Sequence, residues 1–151
     1  MSDIEIRAAR LEDLDEVLAL IQRDSMHDSG GKQAVGRAQY AKAFEAIQRS
    51  PNDELIVATL DGSVVGTLQL TFIPGLGYGG AWRAQVEGVR VQDDLRNQRI
   101  GTKLMEWVIA RARERRCRLV QLTTNIKRQD AQRFYQRFGF MPSHVGMKLM
   151  L

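Results

Sequence analysis

The chain has 151 residues, 44% apolar and 26% charged, with a formal charge of +4, ordinary proportions for one globular domain large enough to fold without staples. One cysteine, two histidines and three prolines exclude an internal disulfide framework, a Cys-rich or His-rich metal site and a disordered Pro-rich chain. No apolar run approaches the about 18 residues of a membrane helix, and Met1 to Arg10 is too charged for a signal peptide, so the expectation is a soluble cytoplasmic protein with no metal and no membrane partner.

Ile4, Ile6 and Ala8 alternate with Glu5 and Arg7, the pattern of a short strand. Leu11 to Leu14 opens a helix with acids in its first turn, which Val17, Leu18 and Ile21 continue at helical spacing. Asp24 to Arg37 holds Ser25, Asp28, Ser29, Gly30, Gly31 and Gly36 and is a loop long enough to be functional. Tyr40, Ala43, Phe44 and Ile47 predict a second helix, stopped by Ser50-Pro51. Glu54 to Leu60 and Val64 to Ile73 are strands joined by Asp61-Gly62, a hairpin turn. Pro74 to Gly80 is a glycine-rich loop, and Ala81 to Val91 is another strand. Ile100, Leu104, Trp107, Val108 and Ala112 keep helical spacing. Leu119 to Thr123 is strand-like, Ala131 to Phe138 is helical and ends at Gly139, and Val145 to Leu151 predicts a last strand. The order β-α-α-β-β-β-α-β-α-β alternates only in its second half, which implies an α/β fold with a mixed central sheet flanked by helices.

Charge is unevenly placed. Residues 1–95 carry nine basic and fifteen acidic residues, and residues 96–151 carry thirteen basic and three acidic. A cationic second half suits a phosphorylated cofactor, a nucleic acid or a membrane surface. Arg111, Arg113, Arg115, Arg116 and Arg118 equally fit a solvated helix face.

Two local patterns mislead. Gly75 to Gly80 matches G-x-G-x-x-G by letter, but Ala81 to Val86 continues it as a strand, whereas a dinucleotide fingerprint must open a helix. Cys117 lies between Arg116 and Arg118, which would lower its pKa. No histidine is near in sequence, and a structural role fits it better.

Val89 to Thr102 is a strand, a polar turn and a helix start. Unpaired N–H groups and the positive end of the dipole make such a start a site for a pyrophosphate. Arg96 and Arg99 add charge, and Gly101 permits close approach. This segment resembles the acetyl-CoA-binding motif of the GNAT N-acetyltransferases, Arg/Gln-x-x-Gly-x-Gly/Ala, here Arg96-Asn97-Gln98-Arg99-Ile100-Gly101. Thr123-Thr124-Asn125, Phe134-Tyr135…Gly139-Phe140, Ile4 to Ala9 and Leu11 to Leu14 extend the resemblance over nearly the whole chain. One position departs: Arg99 stands where the family has its first loop glycine, and it either pairs with a phosphate or weakens cofactor binding.

The resemblance implies a single domain, residues 1–151, that transfers an acetyl group from acetyl-CoA to a primary amine in a ternary complex. Gln98, Arg99, Ile100, Gly101 and Thr102 would give backbone N–H groups to the pyrophosphate. Val89 and Val91 would bond the pantetheine through a strand splayed from its neighbour, or simply fill the core. Asn125 would bond the pantetheine region or cap the next helix. Period-two spacing puts Glu87 on the face of Val89 and Val91. An acid there is often the family's general base, and an alkylammonium with pKa near 10 requires one; burial would raise its pKa. The alternative is a solvent-facing strand residue. Tyr135 matches the general acid for the leaving thiolate, or packs on the apolar stripe of its helix.

The first two helices and their loop usually shape the acceptor site, which here brings in Met26, His27 and Asp28, with Tyr78 and Trp82 as an apolar wall. A small-molecule or peptide amine is the expected substrate, and a homodimer is compatible with the family. Two other readings remain: a nucleic-acid-binding module using the Arg-rich helix 100–118, and a CoA-binding regulatory domain without turnover. Acidic residues dominating the first 95 and the lack of interleaved aromatics argue against nucleic acid.

Overall fold

A computed structural model describes residues 3–25, 36–92 and 99–151. Five strands form one sheet in the order β1-β2-β3-β4-β5: β1 (Ile4–Ala8), β2 (Asp53–Leu60), β3 (Ser63–Ile73), β4 (Trp82–Val91) and β5 (Cys117–Leu122). The pairings from β1 to β4 are antiparallel, and β5 runs parallel to β4, so the sheet is mixed as expected. The β2–β3 hairpin closes at Asp61 (φ 52°) and Gly62 (φ 82°), the two positive dihedrals that a tight right-twisting hairpin demands.

Helices cover both faces. On one, α1 (Leu14–Ser25) and α2 (Arg37–Arg49) bury Leu14, Val17, Leu20 and Phe44 against Val57 and Val64. On the other, α4 (Ile100–Glu114) presses Ile100, Leu104, Met105, Val108 and Ala112 onto Ile56, Leu68, Leu70, Phe72 and Val86. Each fully buried aliphatic or aromatic side chain here contributes about 1.5–3 kcal/mol of transfer free energy. α4 sits directly on β3: a Cβ added at Gly66 would lie 3.1 Å from both Ile100 Cγ2 and Leu104 Cδ1.

Ion pairs tie the periphery to this frame. Arg7 grips the buried Asp13 carboxylate with two hydrogen bonds, 2.7 and 2.9 Å, and Asp13 also accepts the Arg10 backbone N–H at 2.7 Å. Arg111 donates to Glu54 at 2.7 Å. The Arg115 guanidinium lies 4.2 Å from the centre of the Phe72 ring and reaches Pro51 and Asn52. Arg111 and Arg115 are therefore staples between α4 and the sheet; Arg113, Arg116 and Arg118 are exposed.

The expected element order holds through α5 (Gln129–Arg137) and then departs. Val145 to Leu151 forms no strand; it is exposed and without regular structure. Smaller differences have local causes. Leu11–Asp13 is a 3-10 turn rather than the first turn of α1. α2 starts at Arg37 because its polar first turn is invisible to apolar periodicity. The glycine-rich loop contains a four-residue helical turn, α3 (Gly77–Gly80), in which Tyr78 and Gly79 are left-handed.

Candidate active site

The site begins with an irregularity in β4. Glu87 pairs with Gln69 and Arg90 with Thr67, leaving Gly88 and Val89 opposite Leu68 alone. This is a β-bulge, and Gly88 supplies the positive φ, 63°, that it needs. The bulge shifts side-chain parity. Glu87 faces the same side as Arg90, with Gln69 and Thr67, whereas Val91 pairs with Gly66 on the face covered by α4. The expected shared face of Glu87 with Val89 and Val91 is thus corrected. That face carries α1 and α2, as Val57 opposite Thr67 establishes.

Beyond the bulge the sheet parts. β4 is paired with β5 from Trp82 to Val86, and the last rung joins Val86 to Leu122. From Glu87 to Val91, β4 keeps its ladder with β3 only. The cleft is bracketed below by a hydrogen bond from Gln121 Nε2 to Gln85 Oε1, 2.7 Å.

At the far end of β4 stands the N-terminus of α4. Lys103 makes the first helical hydrogen bond, to Arg99 O at 3.0 Å, so the N–H groups of Ile100, Gly101 and Thr102 precede the ladder. No acid occupies this first turn. Ile100 is fully buried and offers only its backbone. A Cβ at Gly101 would lie 3.3 Å from Phe134 Cζ and 3.9 Å from Val91 Cγ2, so the glycine lets helix, strand and α5 converge. Arg99 is the N-cap at φ 60°, ψ 27°. This left-handed geometry gives the physical reason for a glycine in the family motif and a cost for the arginine.

Tyr135 is half-buried, edge-on to Phe134 (centroids 5.2 Å apart) and Phe140 (5.8 Å). Burial pushes its phenol above the ordinary value, with Arg128 and Arg90 opposing that rise. Glu87 is exposed, so the burial considered for it is not present. Asn125 does not cap α5, whose N-cap is Arg128. Its Oδ1 instead accepts the Lys127 N–H at 2.9 Å, closing a turn just past β5. Val89 and Val91 are half-buried, and Val89 O accepts from Arg90 Nη1 at 2.9 Å.

The remaining candidates divide. Arg96, Gln98, His27 and Asp28 lie outside the described residues. Trp82 starts β4 opposite Cys117, and Tyr78 is exposed on α3. Trp82 is five strand positions from Glu87, about 16 Å along the strand, and the structure does not bring the two together. Burial raises the Cys117 thiol and outweighs Arg115, reversing the expected lowering. Among the described residues, His144 bonds its neighbour Ser143, at 2.7 Å. Three residues escaped the sequence reading: Arg90, placed on the face of Glu87 by the bulge, and the hydrogen-bonded pair Gln85 and Gln121. Gly88 inside a strand was the available signal for the bulge. Among the described residues no group of three His, Cys, Asp or Glu is placed to hold a metal, and no helix is long and apolar enough to cross a membrane.

A mixed sheet that opens beside the first turn of α4, with the Glu87 carboxylate on β4 and the Tyr135 phenol on α5, frames the candidate site. The Acetyltransferase (GNAT) family profile matches residues 15–140, and the chain belongs to this family of acetyltransferases. It is 34% identical over 140 residues to the aminoalkylphosphonate N-acetyltransferase of Salmonella typhimurium, covering 93% of this chain and 86% of that protein. The crystal structure of a transcriptional regulator from Bacillus halodurans C-125 superposes with TM-score 0.91 at 41% identity, covering 99% of this chain and all of the other. A putative acetyltransferase from Agrobacterium tumefaciens superposes with TM-score 0.83 at 26% identity, covering 97% and 99%.

Proposed function

We propose that this acetyltransferase, acting as a single domain, takes its acetyl group from acetyl-CoA and passes it to a primary amine by direct attack. The observation that carries the donor is the cleft between β4 and β5 ending at the first turn of α4. The N–H groups that precede its helical ladder and its positive dipole suit a pyrophosphate, with Arg99 beside it. Edge N–H and C=O groups of residues 87–91 suit the amides of the pantetheine arm, and Asn125 stands at the other lip. Acetyl-CoA supplies a thioester whose carbonyl the amine can attack.

In this reading Glu87 takes the ammonium proton, directly or through water, freeing the nitrogen lone pair. The lone pair forms the C–N bond at the thioester carbonyl, and backbone N–H donors at the bulge meet the charge growing on oxygen. As the C–S bond breaks, the Tyr135 phenol gives its proton to the departing sulfur, and the second proton shed by the nitrogen as it becomes an amide restores the phenol. His27, Asp28, Tyr78 and Trp82 are the proposed acceptor contacts. The amine we favour carries a phosphonate, the class named for the Salmonella relative: Arg90 puts a cation on the face of Glu87, the sign such an acceptor needs.

Calorimetry tests the donor. Micromolar binding of acetyl-CoA, lost in Gly101→Glu, is the expected result; no binding by the wild type overturns the reading. An acetylation assay then compares a short aminoalkylphosphonate with the matching alkylamine, with Arg90→Gln as control. Equal use of both amines by the wild type would remove the phosphonate assignment while leaving the amine chemistry intact.

A further inference from the structure

A directional row of polar groups crosses the sheet and leads to Gln85. At its start Asp53 accepts from Ser50 Oγ and from Thr71 Oγ1, both at 2.6 Å. A carboxylate only accepts, so both hydroxyls commit their protons to it. Thr71 is the ladder partner of Gln85, and its oxygen can now only accept. On the other flank Gln85 pairs with Gln121, whose Nε2 donates to Gln85 Oε1 at 2.7 Å. Both flanks therefore favour one orientation of the Gln85 amide, with its oxygen toward β5. Its Nε2 keeps two N–H donors, and among the described residues no group takes them.

This amide lies on the face of Glu87. Gln85 precedes Glu87 by two strand positions, about 7 Å, and Arg90 stands on the same side beyond the bulge. Val86, between them, is buried on the side of α4. Gln85 is half-buried and Glu87 exposed, so the amide is the more sheltered of the two. Arg83, two positions further back on this face, leans to the glycine-rich loop, where its Nη1 lies 3.1 Å from the place of a Cβ on Gly75. Gln85 is thus the neutral donor nearest Glu87 on β4. A half-buried amide donor that the fold leaves without a partner is uncommon.

We propose that Gln85 is a specificity-determining residue for the acceptor, its Nε2 donating to an oxygen of the amine substrate, and that Gln121 is the positioning residue that keeps the amide from turning over. This rests on the acetyl transfer to an amine proposed above and adds a neutral donor to the cation of Arg90. The spacing sets the class of acceptor: a nitrogen at Glu87 and an oxygen-bearing group within a short alkyl chain of it. A phosphonate has oxygens for both Arg90 and Gln85. An alkylamine of the same length leaves the Gln85 donors unmet, and a site built to hydrogen-bond a polar group rejects the analogue that lacks it. With the amide turned over, Oε1 would face the phosphonate oxygens and repel them, which is the arrangement the Gln121 hydrogen bond prevents.

The test uses the full chain with a short aminoalkylphosphonate and the alkylamine of equal length. The ratio of their kcat/KM values gives the preference, and calorimetry reads phosphonate binding without turnover. Gln85→Leu should lower the preference and weaken phosphonate binding roughly tenfold or more, the scale of a lost hydrogen bond to a charged group. Gln85→Glu still accepts from Gln121 Nε2, so the row is kept, and it should abolish the preference by setting oxygen against oxygen. Gln121→Leu should lower kcat/KM for the phosphonate more than for the alkylamine, a split that a merely structural loss would not produce. A preference that both Gln85 variants leave intact overturns the proposal while the phosphonate reading stands. Wild-type preference in Gln121→Leu overturns the positioning role. A wild type that acetylates the alkylamine and neither binds nor prefers the phosphonate overturns the proposal and leaves the amine chemistry standing; one that acetylates neither amine overturns both.

Discussion

Glu87 and Arg90 stand three positions apart on one strand and still face the same side of the sheet, because Gly88 and Val89 share a single partner on β3. Glycine is required there by the backbone, at φ 63°, and not by space, since a Cβ at Gly88 would meet nothing within 4 Å. Gly88→Ala should cost about 1 kcal/mol through left-handed strain alone, a fall in melting temperature of about 2–4 °C for a chain of this size. If the bulge flattens instead, Glu87 and Arg90 separate onto opposite faces and acetyl transfer falls much further than stability. Paired melting and turnover measurements distinguish the two results.

Arg99 holds the same class of backbone conformation without being glycine. Arg99→Gly should therefore stabilise the fold by about 1 kcal/mol, read as a higher urea midpoint with an unchanged slope. The same change removes a cation from the proposed phosphate site, so acetyl-CoA affinity should become less salt-dependent. A protein more stable yet weaker in binding at low salt would identify Arg99 as retained for its charge.

Asp13 should govern part of the acid limb of stability. Its carboxyl is held below the ordinary value of 3.8, chiefly by the Arg7 hydrogen bonds, with burial acting against them. A carboxyl with a depressed folded pKa contributes fully above its unfolded pKa and loses that contribution as pH falls through the folded value. Wild-type stability should thus drop below about pH 4, while Asp13→Asn should be weaker by about 2 kcal/mol at pH 7 and nearly flat over the same interval. Urea midpoints at pH 7 and pH 3 for both proteins check this.

Tyr135 should act through its proton. Tyr135→Phe keeps the ring contacts with Phe134 and Phe140 and removes only the hydroxyl, so kcat should fall about 100-fold with little change in KM for acetyl-CoA. The raised phenol pKa keeps the acid form present across neutral and mildly alkaline pH. A wild-type rate that declines with a pKa clearly below 10 would point to another group.

What the sequence made legible followed regular periodicity. The apolar stripes at Leu14–Ile21 and Ile100–Ala112, and the Asp61-Gly62 turn, are local signals and correspond to α1, α4 and the β2–β3 hairpin. Where a single residue broke the period, pattern reasoning placed side chains wrongly, as Glu87 after Gly88 illustrates. Tertiary contacts were out of reach for a second reason. Nothing near Arg111 or Arg115 in the chain announces Glu54 or Phe72, which bind them across the fold. Arg116 and Arg118 beside Cys117 suggest a lowered thiol, but burial raises it, in keeping with the structural role read for it. The alternation at Val145 to Leu151 was visible, whereas its lack of a pairing strand was not, because pairing depends on where the chain goes after Gly139.

Gly66 contacts α4 with no side chain of its own, and the height of that helix above the sheet is set by the missing methyl. A methyl there would act as a shim under Ile100 and Leu104, tilting the end of α4 that begins at Arg99. In the proposed reading, the grip on the donor's phosphates is thus retuned from inside the protein, through a position beneath α4 and not at the helix's first turn. Selection for weaker or stronger binding of the proposed donor then has a dial in the sheet as well as at the mouth of the cleft.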